Sequence, residues 1–152
     1  KIYYNRGLSL LEQDQFQRAF DLLQLGYRLD PQDQIAWRNI LACINNWALS
    51  ECDAGRFQHA AELLLRGLEM APDYRPFLDN ELHVHHRWVS RLCIEGRFKQ
   101  ALDILESGHR RRPDAPLFDD GRLAVYDVWK NTLRASGKTD QAAEIRPRPA
   151  DR

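Results

Sequence analysis

The apolar positions between Asp33 and Asp53 are Trp37, Ile40, Leu41, Ile44, Trp47 and Ala48. Their spacing of i, i+3, i+4, i+7, i+10 and i+11 lays one stripe along a helix, so the segment is expected to be an amphipathic helix. Gly55 ends it, because glycine takes the left-handed conformation past a helix C-terminus without a steric cost. A second helix is expected from about Arg56 to Ala71, with Phe57, Ala60, Ala61, Leu63, Leu64, Gly67 and Leu68 as its stripe. Pro72 closes it, since proline lacks the amide hydrogen and clashes with the preceding turn. Asp33, Asp73 and Asp114 stand where a carboxylate can cap the helix that follows.

The same pattern returns every 41 residues. Phe16, Phe57 and Phe98 keep that interval, as do Ala19, Ala60, Ala101 and Ala142. So do Gly26, Gly67 and Gly108, then Pro31, Pro72 and Pro113, then Trp47, Trp88 and Trp129. Gly55, Gly96 and Gly137 form a further column, with Asp14 in the first copy. A glycine inside a helix costs about 1 kcal/mol against alanine. Its recurrence at Gly26, Gly67 and Gly108 predicts that the backbone of a neighbouring helix passes close there. The alanines two turns earlier fit the same contact, and the three tryptophans are expected to fill the core opposite them.

At these residues the chain resembles the tetratricopeptide repeat. The first unit carries the resemblance in the run Tyr3-Tyr4-Asn5-Arg6-Gly7-Leu8-Ser9-Leu10-Leu11, followed by Asp14-Gln15-Phe16, Ala19, Gly26 and Pro31. The family's unit is usually about 34 residues. The extra residues fall at Gln34–Ile40, Arg75–Glu81 and Pro116–Arg122, which amount to roughly 10 Å of helix if they are helical. Arg75-Pro76 and Ala115-Pro116 favour a break before Phe77 and Leu117, and Gly121 weakens the last extension. The resemblance implies an all-α fold, a right-handed α-solenoid of stacked antiparallel helix pairs with about seven to eight helices. Residues 1–146 are read as one domain, with repeats of about 1–31, 32–72, 73–113 and 114–146. The last copy has a short polar second helix from Thr139, and residues 147–152 form a frayed tail.

Composition narrows the function. Of 152 residues, 22 are Lys or Arg and 22 are Asp or Glu. That balance argues against nucleic-acid binding, which requires a basic face. No apolar run reaches the roughly 20 residues that cross a bilayer, so no membrane insertion is expected of this chain. Cys43, Cys52 and Cys93 are an odd count without a CxxC pair, and are read as small buried hydrophobes. Cysteine usage favours a reducing compartment such as the cytoplasm. The chain begins at Lys1 and reads as part of something longer, so a periplasmic location follows if a leader or anchor preceded it.

Candidate chemistry is sparse. No phosphate-cradling glycine loop, GxSxG or HExxH motif is present, and no enzyme activity or cofactor is expected. His83 and His86, spaced i, i+3, can share a helix face, but Arg87 follows in the same turn and repels a cation. No metal site is expected. His85 falls in the register of Ile44 and Tyr126 and is assigned to packing. His109-Arg110-Arg111-Arg112 lies at a helix C-terminus, where cations complement the dipole.

What remains is a surface. In peptide-binding members of the family the first helices line a concave groove. The resemblance places Tyr4, Leu8, Asn45, Asn46, Leu49, His83, His86, Arg87, Ser90, Asp127 and Asn131 on that face. Some members grip a C-terminal carboxylate with a five-residue clamp. Its positions here are Tyr4, Leu8, Asn46, His83 and Arg87, and only Asn46 and Arg87 match, so a complete clamp is not expected. The expected role is a protein-interaction scaffold for a peptide or partner protein. The alternative is structural self-association within a larger chain or homo-oligomer.

Overall fold

A computed structural model describes residues 2–147. Among these residues the chain is entirely helix and turn, with α1 (Ile2–Glu12), α2 (Phe16–Leu29), α3 (Gln34–Asp53), α4 (Phe57–Met70), α5 (Arg75–Ile94), α6 (Phe98–Arg111), α7 (Pro116–Ala135) and α8 (Thr139–Glu144). The fold is all-α, built from antiparallel helix pairs. The short helices begin at Phe16, Phe57 and Phe98 and the long ones at Gln34, Arg75 and Pro116, 41 residues apart in each case. The chain forms two compact units, Lys1–Val84 and His85–Arg152. In the first, α1 packs on α2, α2 on α3 and α3 on α4; in the second, α6 packs on α7 and α7 on α8. The tail expected over 147–152 lies, beyond Pro147, outside the described residues.

Each pair is closed by the same tight turn. Gly55, Gly96 and Gly137 have φ of +78°, +73° and +75°, and Asp14 takes φ +55° at the equivalent place. The next amide then reaches back to the carbonyl five residues earlier. These bonds are Gln15 N to Leu10 O, Arg56 N to Glu51 O, Arg97 N to Leu92 O and Lys138 N to Leu133 O, all 2.8–2.9 Å. The left-handed residue makes the reversal, and this bond satisfies a carbonyl that the helix end leaves without an intrahelical partner.

The long helices begin earlier than Pro76 and Pro116 suggest. α5 and α7 each run 20 unbroken residues, and the segments 34–40, 75–81 and 116–122 all lie within helix. Pro116 is the first helical residue and Pro76 the second. In the first turn the missing amide hydrogen costs nothing, because that group has no intrahelical acceptor. The capping aspartates also need correction. Asp33 caps α3, accepting from Ile35 N at 2.9 Å and Ala36 N at 3.0 Å. In α7 the N-cap is Ala115, with no side-chain bond, one residue beyond Asp114. Tyr74 is the equivalent residue before α5, and its carbonyl accepts from Phe77 N at 3.0 Å. Asp73 and Asp114 therefore sit one position too early.

The glycine columns have a different partner from the one the sequence suggests. The nearest neighbours of Gly67 and Gly108 are aromatic rings rather than backbone. A Cβ on Gly67 would lie 2.6 Å from ring carbons of Phe77, and one on Gly108 would run into the ring of Phe118 more closely still. Both rings are fully buried. Each phenylalanine stands in the first turns of a long helix and lays its ring on the bare backbone of the short helix before it. Burying such a ring contributes about 1.5–3 kcal/mol, which outweighs the cost of about 1 kcal/mol for a helical glycine. The first copy has Ala36 at the corresponding place, and Gly26 there meets only the Tyr3 Cβ at 3.3 Å. The tryptophans are not core residues either. Trp47 stacks on Phe16 at 6.5 Å and 6°, and Trp129 on Phe98 at 5.6 Å and 14°, both half-buried beside the turns.

Gly67→Ala and Gly108→Ala are expected to destabilise the protein by about 1–2 kcal/mol, because overpacking exceeds the gain in helix propensity. Gly26→Ala, with a single looser neighbour, is expected to cost much less. Urea denaturation of the three variants measures the difference.

Candidate functional site

The residues singled out from the sequence stand on α1, α3, α5 and α7. In the first unit, Asn46 and His83 are exposed, while Asn45, Leu49, Tyr4 and Leu8 are half-buried. Asn45 is held: its Oδ1 accepts from Nδ2 of Asn80 at 2.7 Å, which ties α3 to the start of α5. Asn80 is absent from the sequence-derived set. Its signal was a 41-residue column shared with Asn39, whose Nδ2 is buried without a hydrogen-bond partner. In the second unit, His86, Ser90, Asp127 and Asn131 are exposed and Arg87 is half-buried. Asn131 Oδ1 accepts from Arg134 Nη1 at 3.3 Å.

Within α5, His83, His86 and Ser90 follow one another at i, i+3 and i+7, so they share a solvent-facing stripe. Among the described residues, no group of three or more His, Cys, Asp or Glu side chains is arranged to hold a metal ion. His85 points the other way. It is buried, meets the Phe118 ring edge-on at 5.4 Å, and its Nε2 lies 3.3 Å from Arg111 Nη2. Arg111, from the basic run, thus reaches inward as well as standing in the last turn of α6.

The most strongly perturbed carboxylate lies elsewhere, in the first unit. Glu51 is buried at a position where the other copies have Leu10, Leu92 and Leu133. Its Oε1 accepts from Arg56 Nη2 at 2.8 Å, and its Oε2 lies 2.9 Å from His59 Nδ1. The His59 ring is edge-on to Trp47 at 5.5 Å. Hydrogen bonding to Arg56 outweighs desolvation and holds the Glu51 carboxyl down at about 2. A cleft of about 570 Å³ opens beside it, lined by Asp14, the start of α2, Trp47, Ser50 and Arg56. The carboxylate staples the end of α3 to the start of α4. Sequence reasoning missed it, although a single acid in a leucine column was a visible signal.

Cys43 and Cys93 are poor nucleophiles. Cys43 and Cys52 are buried and Cys93 partly so, all as free thiols. Burial, with Asp21 adding to it, pushes the Cys43 thiol up to about 12, and burial also raises Cys93. A thiol so raised stays protonated near neutral pH and is unreactive. Among the described residues, no helix is long and apolar enough to cross a membrane.

No family model and no curated protein matches the chain. Among solved structures it is similar to two crystal forms titled MamA AMB-1. One has 18% identity over 95% of this chain and 86% of that one, with a TM-score of 0.34. The other has 17% identity over 95% and 72%, with a TM-score of 0.32. Scores this low carry neither a fold assignment nor a function, so both rest on the helices and side chains described above.

Glu51 gives a pH dependence with a definite sign. Its folded pKa lies below the ordinary 4.5. Its contribution to stability is therefore full above about pH 4.5 and is lost as pH falls from there towards 2. The expected loss is about 2 kcal/mol over that window, reduced by the exposure of Arg56. Glu51→Leu, the residue of the other copies, is expected to flatten this acid limb and to change stability at pH 7 by less than about 1 kcal/mol. Urea titrations at several pH values measure both.

Proposed function

We propose that the chain is a tetratricopeptide-type repeat protein with a 41-residue unit, and that it serves as a non-enzymatic interaction scaffold for a peptide or partner protein. This reading takes residues 1–146 as one repeat domain. The observation that supports it most is a mostly polar set of residues at equivalent positions of successive long helices. Asn45 and Leu49 on α3, His86 and Ser90 on α5, and Asp127 and Asn131 on α7 occupy the same two register positions. Asn46 and Arg87 stand beside them in the next register. Amide side chains can bond an extended peptide backbone, and a guanidinium can take a carboxylate through two parallel bonds. The half-buried Tyr4 and the exposed His83 belong to the same proposed set. Asn45 enters already fixed by Asn80, which lowers the entropy lost on binding.

A second reading is structural self-association. It is favoured by apolar side chains on the surface of the second unit, Ile94 at 84% and Val128 at 45% exposure. Light scattering over a concentration series tests it, and a strictly monomeric protein removes it.

For the leading reading, Asn46→Ala and Arg87→Ala are expected to weaken capture of a partner at least about tenfold, or roughly 1.4 kcal/mol, without lowering Tm. A pull-down followed by calorimetry on the captured partner checks this. Normal binding by both variants would remove the groove assignment.

A further inference from the structure

The repeat opens a cleft at the same register positions in both units, with different charge around each. In the first unit Phe16 and Trp47 line it, beside the turn residue Asp14. In the second unit Gly96, Arg97, Phe98, Lys99, Gln100 and Trp129 line its counterpart, a cleft of about 380 Å³. Asp14 and Gly96, Phe16 and Phe98, and Trp47 and Trp129 are equivalent residues of the 41-residue columns. The apolar wall of the second cleft is the Phe98–Trp129 stack, with Phe98 buried and Trp129 half-buried.

The first cleft holds Asp14 and Glu51 against Arg18 and Arg56. The second holds Arg97 and Lys99, and no acid among the described residues. Arg97 Nη1 donates to Glu95 at 3.0 Å, whereas Lys99 makes no ion pair among the described residues. Asp103, one turn further along α6, lines a neighbouring cleft and not this one. The Phe98–Trp129 stack sets the start of α6 beside the last turns of α7, so the turns at Gly96 and Gly137 lie at one end of these helices. Within six residues of those two glycines stand Arg91, Arg97, Lys99, Arg134 and Lys138, against Glu95 and Asp140. The other charges of residues 85–147 balance, seven basic to seven acidic. The excess of positive charge in this unit is therefore confined to the end that carries the cleft.

We propose that this cleft receives a short acidic segment of a partner protein, with one apolar side chain seated against Phe98 and Trp129. Carboxylates beside that side chain meet Lys99 and Arg97 through charge-assisted bonds. Arg91, Arg134 and Lys138 extend the attraction beyond the cleft, which calls for a ligand longer than the cleft itself. The excess is local and the rest of the unit is neutral, which suits a short acidic segment rather than a long polyanion that needs a broad basic face. This adds a second site to the scaffold reading and rests on that reading only in taking the partner to be a protein.

Fluorescence anisotropy with short synthetic peptides tests the idea. A peptide with one central leucine flanked by glutamates is expected to bind one to one. Replacing its glutamates by glutamines, or its leucine by serine, is expected to weaken binding at least about tenfold. Lys99→Gln, on an exposed side chain, is expected to keep Tm and lose at least about tenfold in affinity. Arg134→Gln with Lys138→Gln is expected to reduce the salt dependence of binding. Asn46→Ala and Arg87→Ala, which test the other site, are expected to leave it unchanged. Absence of saturable binding, equal affinity for the glutamine peptide, or indifference to Lys99→Gln would overturn the proposal. So would a single-stranded oligonucleotide or an anionic lipid vesicle that binds through Lys99 more tightly than the peptide, because the site would then belong to that ligand.

Discussion

An aromatic ring resting on a helix that has no side chain at that point is the contact on which this architecture depends. Phe77 on Gly67 and Phe118 on Gly108 bring a long helix against the short helix before it more closely than any Cβ would allow. The contact explains why a helical glycine is kept despite its conformational cost. It also explains why the long helices are long. The phenylalanines stand within the two turns that lengthen the unit, so the extension carries the residue that locks one pair to the next. Where the ring is missing, at Ala36, the glycine partner is only loosely met.

With the backbone pattern held by turns and rings, single register positions vary in chemistry. One column reads Leu10, Glu51, Leu92 and Leu133, and its one acid forms an ion-paired staple. Another reads Ile40, Glu81 and Arg122, all buried despite their different charge. A third, Leu41, Leu82 and Leu123, goes from buried through half-buried to exposed. Local variation on a repeated frame is how such an array acquires distinct surfaces without changing fold.

Much of the frame was legible in the sequence. The 41-residue columns placed the short helices within a residue of their ends, because glycine and proline punctuate those ends by mechanisms that do not depend on packing. The starts of the long helices were less legible. A proline in a helix's first turn and one before its first turn look alike in sequence, and only the bonds made by the next amides tell them apart. Glycine spacing showed that something large approaches, but not whether it is backbone or ring. The candidate positions came from the register of the 41-residue columns, which says which residues are equivalent and not what they touch. The Asn80 bond to Asn45 and the burial of Glu51 were not, since both depend on which helix lies opposite.

Amide hydrogen exchange at residues 78–81 and 119–122, the first amides of α5 and α7 with helical acceptors, tests the ring-on-glycine account most directly. Protection there approaching that in the middle of α5 and α7 is the expected result, because the buried rings hold those turns against the short helices. Exchange at these residues at the rate of a free peptide, with protection starting only beyond them, would contradict it.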